Sequence, residues 1–152
     1  MKRFLLLAFL ILNSAFTFLP AFAQTVNLQN SLSIFNTLVD CTSEDQMIKK
    51  CNFYKFKDLG IHDDFYVYEA PDGNTIRFRI DRKENGQQIP VIEIITTQNR
   101  NKIEKHLTKM GYKKEGKIYI RSHKYGITQT YCKIEKADSN KTKLLATKTS
   151  TP

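Results

Sequence analysis

Apolar residues follow three rhythms along this chain. The first is an unbroken run at residues 4–12, preceded by Lys2 and Arg3 and followed by Pro20 and the small residues Ala21 and Ala23. A basic start, a short apolar centre and a small-residue exit are the layout of a secretory signal peptide. The run is nine residues long, whereas a helix that spans a bilayer needs about 20. Asn13, Ser14, Thr17 and Pro20 interrupt any extension. Cleavage after Ala23 is expected. It would leave an exported chain, periplasmic or secreted, that starts at Gln24 and has no transmembrane segment.

The second rhythm is helical. Leu28, Leu32, Phe35 and Val39 are spaced by four, three and four residues, with Leu38 beside them, which traces one face of a helix over about 27–40. Thr25 or Asn27 can cap its start. Ser43 with Gln46 three residues on forms a capping-box pattern for a second short helical turn. Ile103, Leu107 and Met110 mark a helix from about 99 to 110, ended by Gly111, with Tyr112 placed to fold back on the last turn. Residues 52–63 show no clear period.

The third rhythm is strict alternation, the mark of strands. Phe65 and Val67 are set against Tyr66 and Tyr68. After the turn signal Pro71-Asp72-Gly73, Ile76, Phe78 and Ile80 point inward and Thr75, Arg77 and Arg79 outward. Asn85-Gly86 signals a hairpin, and a strand follows it, with Pro90 at its start suiting a sheet edge. Two further strands, about 117–123 and 127–135, join at Lys124-Tyr125-Gly126. Centring that hairpin on Tyr125 sets Cys132 opposite Ile118. Beyond Ala137 the chain is rich in Lys, Thr and Ser and is expected to be disordered. The reading is therefore an α+β fold: an antiparallel meander of about five strands, packed on one face by one or two helices. The expected parts are a signal peptide at 1–23, one domain at 24–136 and a tail at 137–152. No internal repeat or linker is visible.

Composition narrows the function. The chain from Gln24 on has room for one domain with a core. Its net charge is +7, from 24 basic residues less Lys2 and Arg3 against 15 acidic ones. Outside the cytoplasm such basicity favours an acidic protein or an anionic cell-envelope component as partner. Nucleic acid is not expected. The cysteines are Cys41, Cys51 and Cys132. In an oxidising compartment one disulfide is expected, with Cys41–Cys51 the preferred pair, Cys51–Cys132 the next, and the third cysteine a buried thiol. Closing the short Cys41–Cys51 loop would stabilise by about 3 kcal/mol in the chain-entropy model.

Candidate chemistry is sparse. Cys132 and His123 lie about five rungs apart in the expected hairpin, roughly 16 Å, too far for a nucleophile and its base. His62, Asp63 and Asp64 are metal-ligand types, but adjacent residues of an extended chain point to opposite faces. No metal site, cofactor loop or catalytic motif is read. A surface remains. Tyr66, Tyr68, Arg77, Arg79, Tyr119, Arg121, Tyr131 and Lys133 are expected to share the sheet face turned away from the helices, and Tyr and Arg are the residue types that interfaces favour. The expected function is a non-enzymatic exported binding module. The alternative is a small exported hydrolase with an unrecognised site.

Overall fold

A computed structural model describes residues 31–123, 128–138 and 140–150. The signal-peptide reading of residues 1–23 and the caps at Thr25 and Asn27 lie outside these residues. The helices are α1 (Ser31–Val39), α2 (Glu44–Phe53) and α3 (Arg100–Lys109). The strands are β1 (Lys57–His62), β2 (Phe65–Glu69), β3 (Thr75–Arg82), β4 (Gln88–Thr96), β5 (Lys113–Glu115), β6 (Ile118–Ser122), β7 (Thr128–Asp138) and β8 (Lys141–Ser150). All eight form one antiparallel sheet in the order β1-β2-β3-β4-β8-β7-β6-β5. The expectation of about five strands and one or two helices is thus corrected to a mostly sheet fold of eight strands and three helices among the described residues.

The strand order is a palindrome. Two four-stranded meanders, one entered from α2 and the other from α3, meet where β4 pairs antiparallel with β8. An antiparallel joint between the two closing strands relates the halves by a local two-fold normal to the sheet. The repeat is one of topology, built from unlike residues, so no sequence period announces it.

Each missed strand has its own reason. β1 and β5 are the two sheet edges, and every residue of both is exposed. A strand that buries no side chain needs no apolar alternation. β8 occupies the segment expected to be a disordered tail, yet it is central. Leu144 and Ala146 are fully buried, Leu145 is half-buried on the other face, and the rest of the strand is Thr and Lys with a final Ser. Thr suits a pleated surface, so two apolar side chains on one face suffice to seat the strand between β4 and β7.

Local signals of turn and cap are realised. Ser43 is the N-cap of α2, accepting from Gln46 N, while Gln46 Oε1 accepts from Thr42 N. Asn99 caps α3. Gly111 takes φ +86°, and Tyr112 N donates to Leu107 O. Asp63 and Asp64 both take positive φ in the two-residue loop between β1 and β2, the geometry that a tight hairpin with the sheet's right-handed twist requires. The start of α1 is tied by a distant residue: Ser31 N donates to Asp72 Oδ2 at 2.9 Å, and Asn74 Nδ2 donates to Ser31 Oγ at 2.8 Å. A carboxylate at that end also meets the positive pole of the helix.

The core lies between the helices and one sheet face. α1 rests on β4 and β8, α2 on β3, and α3 beside β5. Leu32, Phe35, Leu38, Met47, Ile103 and Leu107 from the helices join Ile76, Phe78, Ile92, Ile94, Leu144 and Ala146 from the strands in one buried cluster.

Candidate functional site

Register decides which side chains share a surface. Tyr66 pairs with Phe78 and Tyr68 with Ile76, so both tyrosines lie on the core face. Their rings stack on Phe78 at 5.5 and 5.7 Å. Phe65 and Val67, expected to face the core, lie on the opposite, open face instead. Tyr119 pairs with Cys132 rather than Ile118. That one-residue difference turns Tyr119 and Arg121 to the core face, since side chains alternate with a period of two. Of the eight residues expected to share one surface, Tyr66, Tyr68, Tyr119 and Arg121 lie on the core face, and only Arg77, Arg79, Tyr131 and Lys133 on the open face. The united Tyr/Arg face does not exist.

The four that remain do not form a free binding surface either. Arg77 and Arg79 stack on the Phe65 ring, with guanidinium carbons 4.6 and 4.5 Å from its centre. They roof a small apolar cluster of Phe65, Val67, Val91 and Leu145. Carboxylates surround them. Arg77 lies 3.6 Å from both Asp63 and Glu93, and Arg79 Nε is 2.7 Å from Asp81 Oδ1. The ladder continues from Glu93 to Lys143 at 3.7 Å, on to Glu135 at 3.2 Å and to Lys133 at 2.7 Å. Lys133 and Lys143 hold the Glu135 carboxyl below its ordinary value. The open face is thus largely neutralised by its own charges.

The unneutralised charge lies elsewhere, and the fold makes its location plain. Residues 31–98 hold 8 basic and 11 acidic residues, a net of −3; residues 99–150 hold 14 and 4, a net of +10. These two segments correspond to the two halves of the sheet. The densest basic stretch is 99–117, with seven basic residues against Glu104 and Glu115. Here α3 buries Ile103 and Leu107. Lys102, Lys105 and Lys109, spaced three and four apart, project on the other side, as neighbours on one helix face do. Edge strand β5 and the turn after it add Lys113 and Lys117. All five lysines are exposed, and none has an acidic partner among the described residues. Arg100 and Lys114 differ, since both pair with Glu104, at 2.8 and 3.6 Å. The halves' charge difference was legible in the sequence. A running charge count would have found it, whereas the total charge hides it.

The chain matches no known protein family, no curated protein and no solved structure.

One polar cluster sits on the core face at the end of α1. Asp40 meets three basic groups: Lys148 Nζ at 3.3 Å, His123 Nδ1 at 3.4 Å and Arg121 at 3.8 Å. His123 Nε2 lies 2.6 Å from Thr130 Oγ1. Partial burial, with Lys148 and Arg121 nearby, lowers the imidazole pKa, partly offset by Asp40. Thr130 itself is fully buried. The adjoining cavity, about 320 Å³, is lined by Cys41, Gln88, Pro90, Thr128 and Lys148 among others.

The three cysteines are free, buried thiols, and the expected Cys41–Cys51 disulfide is not formed. Cys41 Sγ donates to Thr37 O at 3.3 Å, and Cys51 is fully buried on the core side of α2. Burial pushes the thiols of Cys51 and Cys132 up to about 12, which leaves little thiolate for nucleophilic chemistry. Among the described residues no group of three or more ligating side chains could hold a metal, and no helix is long and apolar enough to cross a membrane.

Proposed function

We propose that this protein is a non-enzymatic exported binding module that takes an anionic partner through its C-terminal half. The observation that carries this reading is the split of charge between two halves of one sheet, net −3 against +10. Surface charge of one sign raises the local concentration of an oppositely charged partner and speeds encounter. Lysines without acidic partners keep that field unspent. The partner class is an acidic protein or an anionic envelope component, and the compartment is the periplasm or the exterior. The test is retention of material from an envelope extract on the immobilised protein, eluted with a salt gradient. Salt-eluted material that is lost when Lys102, Lys105 and Lys109 become Glu supports the reading. Retention that ignores both salt and those substitutions defeats it.

A second reading, a small exported hydrolase, draws on the Asp40–His123–Thr130 geometry, in which a carboxylate, an imidazole and a hydroxyl stand in line. That is the order of roles in a nucleophile–base–orienter site. The hydroxyl is inaccessible, and Asp40 is shared with two other cations, so this reading stands second. Ester hydrolysis by the purified protein that vanishes in Thr130→Ala and His123→Gln, both still folded, would promote it.

A further inference from the structure

Five exposed lysines without acidic partners lie at one end of the sheet, on α3, β5 and the turn after it. Lys102, Lys105 and Lys109 come from α3, Lys113 from β5 and Lys117 from the turn into β6. They share that end because α3 lies beside β5. Lys102, Lys105 and Lys109 form its main patch, while Lys113, paired with Ile120, is on the open face of the edge strand. We propose that this corner seats the protein on an anionic phospholipid bilayer, peripherally and without insertion. The inference rests on the anionic-partner reading above and names its partner.

Three observations favour a bilayer over other polyanions. First, the cations are lysines, compact point charges suited to a field of mobile headgroups; bidentate recognition of one phosphate or carboxylate calls for Arg. The one arginine here, Arg100, is engaged by Glu104. Second, the corner offers no aromatic platform for bases, because Tyr112 and Tyr119 are 3% and 1% exposed, and single-stranded nucleic acid is held by stacking as much as by charge. Third, the opposite half of the molecule is net negative. An extended anionic plane acts on this whole-molecule charge dipole and orients it, corner down and acidic half away. A small acidic ligand would feel the corner alone. Insertion is ruled out by packing, since the apolar stripe of α3, Ile103 and Leu107, is fully buried in the core; an interfacial helix would have to offer that stripe to the lipid.

The experiment is co-sedimentation of the full chain with vesicles, either pure phosphatidylcholine or an equimolar mixture of phosphatidylcholine and phosphatidylglycerol. Residues 4–12 are apolar enough to attach to any bilayer, so the quantity read is the gain of the anionic vesicles over the neutral ones. Two triple variants carry the same change in net charge: K102E/K105E/K109E at the corner and K49E/K50E/K55E on the acidic half. The second set is also exposed and without acidic partners among the described residues. Thermal melts establish that both remain folded. Each cation near an anionic surface contributes roughly fivefold in affinity, so the corner variant should lose roughly a hundredfold or more of the anionic gain. The control should lose far less, and added salt should abolish the gain in the parent. Equal losses in both variants, or no anionic gain in the parent, overturn the inference. The two proposals fail separately. If salt-eluted envelope material is captured but anionic vesicles are ignored, the partner is an acidic protein, and the lipid inference falls while the binding reading stands. If neither is bound, both fall.

Discussion

The two halves of this sheet share a topology and differ in almost everything else. The first, α2 with β1 to β4, packs aromatic rings under its helix. Tyr66 and Tyr68 stack on Phe78, and Ile76, Ile92 and Ile94 complete an apolar layer. The second, α3 with β5 to β8, has a core of similar extent but without stacked rings. Ile103 and Leu107 of α3 and the buried Tyr112 and Tyr119 join Cys132, Ile134, Leu144 and Ala146, with Thr130, His123 and Asp40 at one end. The first half is net negative, at −3, and the second strongly basic, at +10. A two-fold backbone sets strand lengths and neighbours, but it does not dictate what fills the core or what the surface presents. Both halves can build one core while only one of them presents unneutralised charge.

The sharpest way to break that comparison is to remove the joint. Ending the chain at Asp138 deletes β8, the strand through which the second half meets β4. The expected result is no cooperative melt by circular dichroism, because β4 and β7 would each lose a partner and Ile92, Ile94, Cys132 and Ile134 the cover that Leu144 and Ala146 provide. A truncated chain that melts cooperatively near the parent temperature would show that the halves are independent.

Substitutions within the core come next in size. Phe78→Ala in the aromatic half should destabilise by about 3–5 kcal/mol, and Leu144→Ala in the joint by about 2–5 kcal/mol. Leu145→Ala, on the open face and only partly buried, should cost clearly less than Leu144→Ala in denaturant titrations. Similar values for Leu144 and Leu145 would mean that the parity of β8 is reversed.

The polar end of the second half predicts a pH effect. The folded-state pKa of His123 is below its ordinary 6.5, so the unfolded chain binds a proton more readily there. Its contribution to stability is whole above about pH 6.5 and is lost as pH falls through the folded value. Asp40, Lys148 and Arg121 are the charged groups around it. Denaturant midpoints at pH 7.5 and 5.5 should fall further in the parent than in His123→Gln. An equal fall would remove His123 as the cause.

The smallest effect belongs to the basic corner. K102E/K105E/K109E should leave unfolding free energy within about 1 kcal/mol per site, as exposed positions away from the core do, with Lys109 at the C-terminal end of α3 contributing most. A large loss would mean that these lysines support the fold, and the idea of a half given over to binding would weaken.

Local signals were legible from the chain alone. Ser43 and Gln46, Asn99, Gly111 with Tyr112, and Asn85-Gly86 act over four or five residues, where backbone geometry and a single side-chain bond decide the outcome. The inward set Ile76, Phe78 and Ile80 followed from alternation. The basic corner was present in the order of charges and needed only to be counted by segment. Tertiary structure alone decided the rest, because it rests on pairings between distant residues. Parity is the clearest case. Alternation says that Tyr66 and Phe65 face opposite ways, but only the pairing of Tyr66 with Phe78 says which one faces the core, and only Tyr119 opposite Cys132 turns Tyr119 and Arg121 away from the open face. β8 is the same lesson at larger scale. Its two buried side chains, Leu144 and Ala146, are too few to distinguish a strand from a polar tail until β4 and β7 stand on either side to receive them.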